Sequence, residues 1–163
     1  MPCQYAAENR MITQSQLSAF VGKSIAQVCP NGYTSDADSH SAHFVSHVLG
    51  YNFGVTCQMM GSGRGPAASL RVQEVFAHCA RVGVWGLRPA TLSVCLVFIT
   101  RAASVNLAGK VMAQVPRKHV GIFLGGFVWH YSTGQGKVVK QTPAQFSLHY
   151  PAPDNAMFYG SLP

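Results

Sequence analysis

Apolar and polar positions follow two different periods along this chain, helical in the first half and strand-like in the second. Over Asp36-Ala-Asp-Ser-His40-Ser41-Ala-His43-Phe44-Val45-Ser-His47-Val48-Leu49-Gly50 the spacing is that of a helix. At about 100° per residue, Ser41, Phe44, Val45, Val48 and Leu49 share one arc, while His40, His43 and His47 share the opposite one. Asp38 or Ser39 is suited to cap its start, and Gly50 to end it in a left-handed conformation. Two more helices are predicted over Ser15 to Val28 and Leu70 to Val82. Between them, Pro30-Asn-Gly32 reads as a turn and Gly61-Ser-Gly-Arg-Gly-Pro66 as a flexible loop.

Beyond residue 90 the period drops to two. Strands are predicted over Ser93 to Arg101, Val120 to Leu124, Phe127 to Tyr131 and Lys137 to Gln141. A short helix from Pro143 to His149 and an extended piece from Met157 to Tyr159 complete the chain. Helices followed by strands indicate an α+β fold with helices packed on an antiparallel sheet.

Within this pattern, His119-Val-Gly-Ile-Phe-Leu-Gly-Gly-Phe-Val-Trp-His130 forms a hairpin around Gly125-Gly126. That turn pairs Leu124 with Phe127, Gly121 with His130 and His119 with Ser132, so His119, Gly121, His130 and Ser132 share a face. The two imidazoles become diagonal neighbours roughly 5 to 8 Å apart. Gly121 leaves room above the backbone for a substrate, with Trp129 and the Gly61 to Pro66 loop as further walls of a cleft. The pair suits a base and its orienting residue. Ser41, in the first turn of its helix, is the matching nucleophile position: unpaired N–H groups and the positive helix end favour an anion and an oxyanion there.

These segments, in this order, resemble the NlpC-type cell-wall peptidases of the papain-like superfamily, over about residues 36 to 131. The family's nucleophile motif, Asp-Cys-Ser-Gly-Phe/Leu-Val, lays its cysteine on Ser41. Its base motif, His-Val-Gly-Ile-Tyr, lays the base on His119 and the orienting residue on His130. Departures are Ser41 for cysteine, His40 for aspartate and His43 for glycine, with a histidine spacing one residue shorter than usual. A thiolate ionises at accessible pH, whereas a serine hydroxyl must be deprotonated during attack, so a site built for cysteine works poorly with serine.

The resemblance implies one papain-like hydrolase domain over residues 1–163, with an N-terminal arm over about 1–14. It implies cleavage of an amide bond in the peptidoglycan stem peptide by Ser41, His119 and His130, with His40, Gly121 and Trp129 contacting substrate. It requires no metal and no cofactor. Ser41 then marks an inactivated Cys-to-Ser form, with a natural serine enzyme as one alternative and a non-catalytic binding module as another. A different alternative is a zinc-dependent hydrolase built on His40, His43 and His47, although that stripe lacks the glutamate that serves as base in zinc-protease helices.

Cysteine usage and charge narrow the field. Five cysteines without framework spacing argue against a disulfide scaffold. Cys57 and Cys79 are the rival nucleophiles, whereas Cys3 is terminal, Cys29 follows a helix and Cys95 sits in an apolar strand. Twelve Lys and Arg against five Asp and Glu give +7, which suits an anionic partner such as the bacterial envelope. The basic residues are scattered and no aromatic-basic motif accompanies them, which argues against nucleic acid. The first twenty residues lack the apolar core of a secretory signal, and no stretch is long enough to span a membrane. A monomeric effector, injected into the periplasm of rival bacteria by a contractile (type VI) secretion carrier and countered by an immunity protein, is what the resemblance then implies.

Overall fold

A computed structural model describes residues 12–150 and 155–163. Five helices occupy the first half: α1 (Gln14–Ser18), α2 (Ile25–Val28), α3 (Ser41–Leu49), α4 (Cys57–Met60) and α5 (Val72–His78). The strands follow as β1 (Val82–Val84), β2 (Val94–Arg101), β3 (Val105–Asn106), β4 (Val111–Met112), β5 (Lys118–Leu124), β6 (Phe127–Ser132) and β7 (Lys137–Gln141). Helix α6 (Pro143–Phe146) and strand β8 (Asn155–Gly160) end the fold. This is an α+β arrangement with a six-stranded antiparallel sheet in the order β1-β8-β2-β5-β6-β7. A separate two-stranded ribbon pairs β3 with β4.

Alternation along the strands divides the buried side chains between the two faces. Leu96, Phe98, Val120, Ile122, Trp129 and Tyr131 point to the face covered by the N-terminal helices, where Phe44 and Val45 of α3 and Phe76 of α5 join them. Burying an aromatic or branched side chain of this kind contributes about 1.5–3 kcal/mol. Cys95, Val97, Ile99, Phe123 and Val128 point to the other face, which α6 covers through Phe146.

The central hairpin turns at Gly125 and Gly126, with φ of 60° and 86°, the signs that a two-residue turn of this hand requires. Its ladder runs through Leu124–Phe127, Phe123–Val128 and Ile122–Trp129. The predicted pairs Gly121–His130 and His119–Ser132 lie beyond that ladder.

Several predicted elements take different bounds. The helix expected over Ser15 to Val28 is two short helices, because the chain turns between them at Gly22, where φ is 86°. The helix expected to reach Val82 ends at His78, and Val82–Val84 instead pairs with β8. Helix α3 starts at Ser41 with His40 as its cap residue, and neither Asp38 nor Ser39 caps it. Gly50 ends it with φ of 76°, as expected. The helix predicted over Pro143 to His149 ends at Phe146, and β8 extends beyond the predicted Met157 to Tyr159 at both ends. The N-terminal arm to Met11 lies outside the described residues, and so does Cys3.

Candidate functional site

His119 is the second residue of β5 and sits opposite Ile99 of β2, so its ring belongs to the face that α6 covers. His130 of β6 points to the same side, and Nε2 of His119 lies 2.8 Å from Nδ1 of His130. On its far side, Nε2 of His130 lies 2.6 Å from Oε1 of Gln141, at the end of β7.

These contacts determine the neutral tautomers. The Gln141 oxygen only accepts, so His130 donates through Nε2–H and accepts at Nδ1. His119 therefore donates through Nε2–H, and its Nδ1 keeps a lone pair free to take a proton. Both rings are buried. Burial holds His119 well below its ordinary value of 6.5, with the charges His149 and His130 would carry acting in the same direction. Burial also lowers His130 to about 4, against the hydrogen bond to Gln141, which works to raise it. Both are therefore neutral near pH 7, the state a general base needs.

Two participants in this arrangement were not anticipated. Gln141 lies on the same face as Val139, which pairs with His130, and strand alternation alone would have placed it there. His149 stacks on His119 with ring centroids 3.8 Å apart, and nothing in the sequence pattern announces it. Nitrogens of His119, His130 and His149 lie within 4.8 Å of one another, a spacing compatible with a metal. In the neutral protein, however, the His119–His130 contact is a hydrogen bond and His130 is further engaged by Gln141.

Ser41 is the first residue of α3 and fully buried, and its Oγ has no hydrogen-bond partner. Helix α3 rests on the Val120 and Ile122 side of β5, the side opposite the His119 ring. Ser41 Oγ and the His119 ring therefore lie on opposite sides of the sheet with no hydrogen bond joining them, and His119 stands next to the Lys118 end of β5. A cavity of about 120 Å³ opens at that end, lined by Ser39, Leu70, Arg71, Gln73, Pro116 and Lys118 among others. Its lining includes the sequence neighbours Ser39 and Lys118 but neither Ser41 nor His119. Burial and the neighbouring Arg71 lower the Lys118 ammonium pKa.

Trp129 is fully buried in the helix-covered core. Gly121 closes against its neighbours: a Cβ there would lie 2.6 Å from Cγ1 of Val128 and 3.1 Å from Cβ of His130. His40 is buried, with Nε2 2.7 Å from the Ser35 carbonyl and Nδ1 3.0 Å from Nδ1 of His43. The Gly61 to Pro66 loop wraps Asn31: Ser62 and Gly63 donate to its carbonyl and Gly65 to its Oδ1. Among the rival nucleophiles, Cys79 is fully buried and its thiol is pushed up to about 12 by that burial, as is Cys95. Both are protonated at neutral pH and enclosed.

No helix among the described residues is long and apolar enough to cross a membrane. Compared with protein-family models, curated proteins and solved structures, the chain shows no match.

Proposed function

We propose that this chain is a papain-like hydrolase of the NlpC type that cleaves an amide bond in the peptidoglycan stem peptide, with serine at the nucleophile position. The observation that carries the reading is the buried chain from His119 to His130 to Gln141, which leaves one imidazole nitrogen as a base of defined tautomer. Ser41 supplies the second half, as an unpartnered buried side chain at a helix start. In the reaction, the group at position 41 attacks the amide carbonyl while His119 Nδ1 takes its proton. That proton then passes to the leaving amine, and water hydrolyses the acyl-enzyme with His119 again as base. N–H groups at the start of α3 face the oxyanion.

Arg71 and Lys118 on the cavity wall fit a substrate that carries carboxylates, as stem peptides do. Delivery into a rival's periplasm, an immunity partner and a Cys-to-Ser origin of Ser41 rest on the resemblance alone. The experiment is to incubate Ser41→Cys and the unaltered chain with purified peptidoglycan and to identify fragments by mass. Stem-peptide products from Ser41→Cys alone are expected. Sedimentation of both proteins with peptidoglycan, without products from either, would instead establish a binding module.

A further inference from the structure

We propose that Cys29, His43, His47 and Cys57 hold one zinc ion in a closed tetrahedral site that ties α2, α3 and α4 together. Cys29 ends α2, the two histidines are one turn apart on α3, and Cys57 opens α4. One ligand atom from each lies within 4.8 Å of all the others. Within the set, Cys57 Sγ lies 3.6 Å from His47 Nε2. Tetrahedral zinc with Zn–S near 2.3 Å and Zn–N near 2.05 Å requires a sulfur-to-nitrogen edge of about 3.6 Å.

The surroundings present the lone pairs inward. His40 donates through Nε2–H to the Ser35 carbonyl, so its Nδ1 is an acceptor and His43 donates to it through Nδ1–H. The Nε2 of His43 is thereby unprotonated, and it is buried with no hydrogen-bond partner. A hydrogen bond to the other ring nitrogen that fixes the tautomer of a ligand histidine is the usual companion of a metal site. His40 has both ring nitrogens engaged and serves as this support, not as a ligand.

The sulfurs are prepared in the same way. Asn31 donates its backbone N–H to Cys29 Sγ at 3.4 Å and its side-chain amide to Cys57 Sγ at 3.2 Å. Such donors stabilise thiolates, and both cysteines are free of disulfides. Asn31 is itself clamped: its amide also donates to the Pro66 carbonyl, and a Cβ on Gly61 or Gly63 would strike its backbone at 1.9 or 2.2 Å. The glycine-rich loop is thus a collar around the residue that supports both sulfurs. Two thiolates balance the dication, and three of the four ligands are fully enclosed. With four protein ligands, no position remains open for water, so the ion is structural and does not serve a zinc hydrolase.

The test uses the whole chain and needs no assumption about hydrolysis. Zinc measured after purification, and after adding zinc to chelator-treated protein, is expected at one equivalent per chain. Cobalt(II) in its place is expected to show intense tetrahedral d–d bands together with a thiolate-to-cobalt charge-transfer band. Cys57→Ser should lose the charge-transfer intensity and most of the zinc, Asn31→Ala should weaken zinc binding about 10–100-fold, and His149→Ala should change neither. Should Cys57→Ser fail to fold, the cobalt spectrum of the unaltered chain still decides. A folded protein that takes up no zinc, a cobalt spectrum without sulfur charge transfer, a Cys29–Cys57 disulfide, or zinc lost only in His149→Ala would each overturn the proposal.

Discussion

His119 donates a hydrogen bond through Nε2 to Nδ1 of His130 across 2.8 Å, with the two rings nearly perpendicular at 87°. Because His130 in turn donates to Gln141, the two imidazoles act as one unit whose only unengaged nitrogen is Nδ1 of His119. This unit is buried and neutral, and its consequences for stability follow from that.

Stability should fall on acidification. Both folded-state pKa values are depressed, His130 from 6.5 to about 4 and His119 well below 6.5, so the unfolded chain binds more protons below pH 6.5. Stability from this pair is complete above about pH 6.5 and declines as the pH drops toward 4. Each unit between folded and unfolded values corresponds to about 1.4 kcal/mol. Urea denaturation at pH 7.5 and 4.5 measures the decline, and His130→Asn should make it shallower. An equal decline in both proteins would show that the pair is not its source.

Gln141→Ala removes the acceptor that holds the Nε2–H of His130. A buried donor left without a partner costs about 1–3 kcal/mol. In a Ser41→Cys background the substitution should also lower turnover more than it raises KM, since Gln141 is a positioning residue that orients the base through His130. Gln141→Glu, which restores an acceptor, should recover part of the loss. A change in KM alone would place Gln141 at the substrate instead.

Gly121→Ala should destabilise the hairpin. Its Cβ would approach Val128 Cγ1 to 2.6 Å, a distance that forces Val128 or the strands to shift, and overpacking of this kind costs about 1–3 kcal/mol. Thermal melting checks this, and an unchanged midpoint would mean that the face above Gly121 has space to spare.

How far the sequence revealed this arrangement differed between the two halves of the molecule. The central hairpin was legible because a Gly-Gly turn between alternating strands leaves one register and one face for the histidines. Gln141 follows from the same alternation. The histidines of α3 read as a solvated stripe, yet His40 and His43 are buried. Periodicity separates the two sides of a helix but does not say whether the second is covered, and here Cys29, Cys57 and Tyr33 cover it. Cys29 and Cys57 lie on either side of α3 in sequence, at spacings that match no short metal motif, so their meeting with His43 and His47 became visible only in three dimensions. The position of α3 across the sheet from the His119 ring was equally hidden, because a nucleophile's helix and a base's strand can be read separately while their relative placement cannot.

The thiol of Ser41→Cys reports directly on whether the base serves position 41 from across the sheet. Ultraviolet titration of its thiolate, in the otherwise unaltered chain and with His119→Ala added, measures whether the base reaches position 41. Coupling predicts an ionisation well below the usual thiol value of about 8.5 in the single variant, returning toward or above it when His119 is removed. Identical titrations in the two proteins would show that His119 does not serve position 41, and would contradict the hydrolase reading.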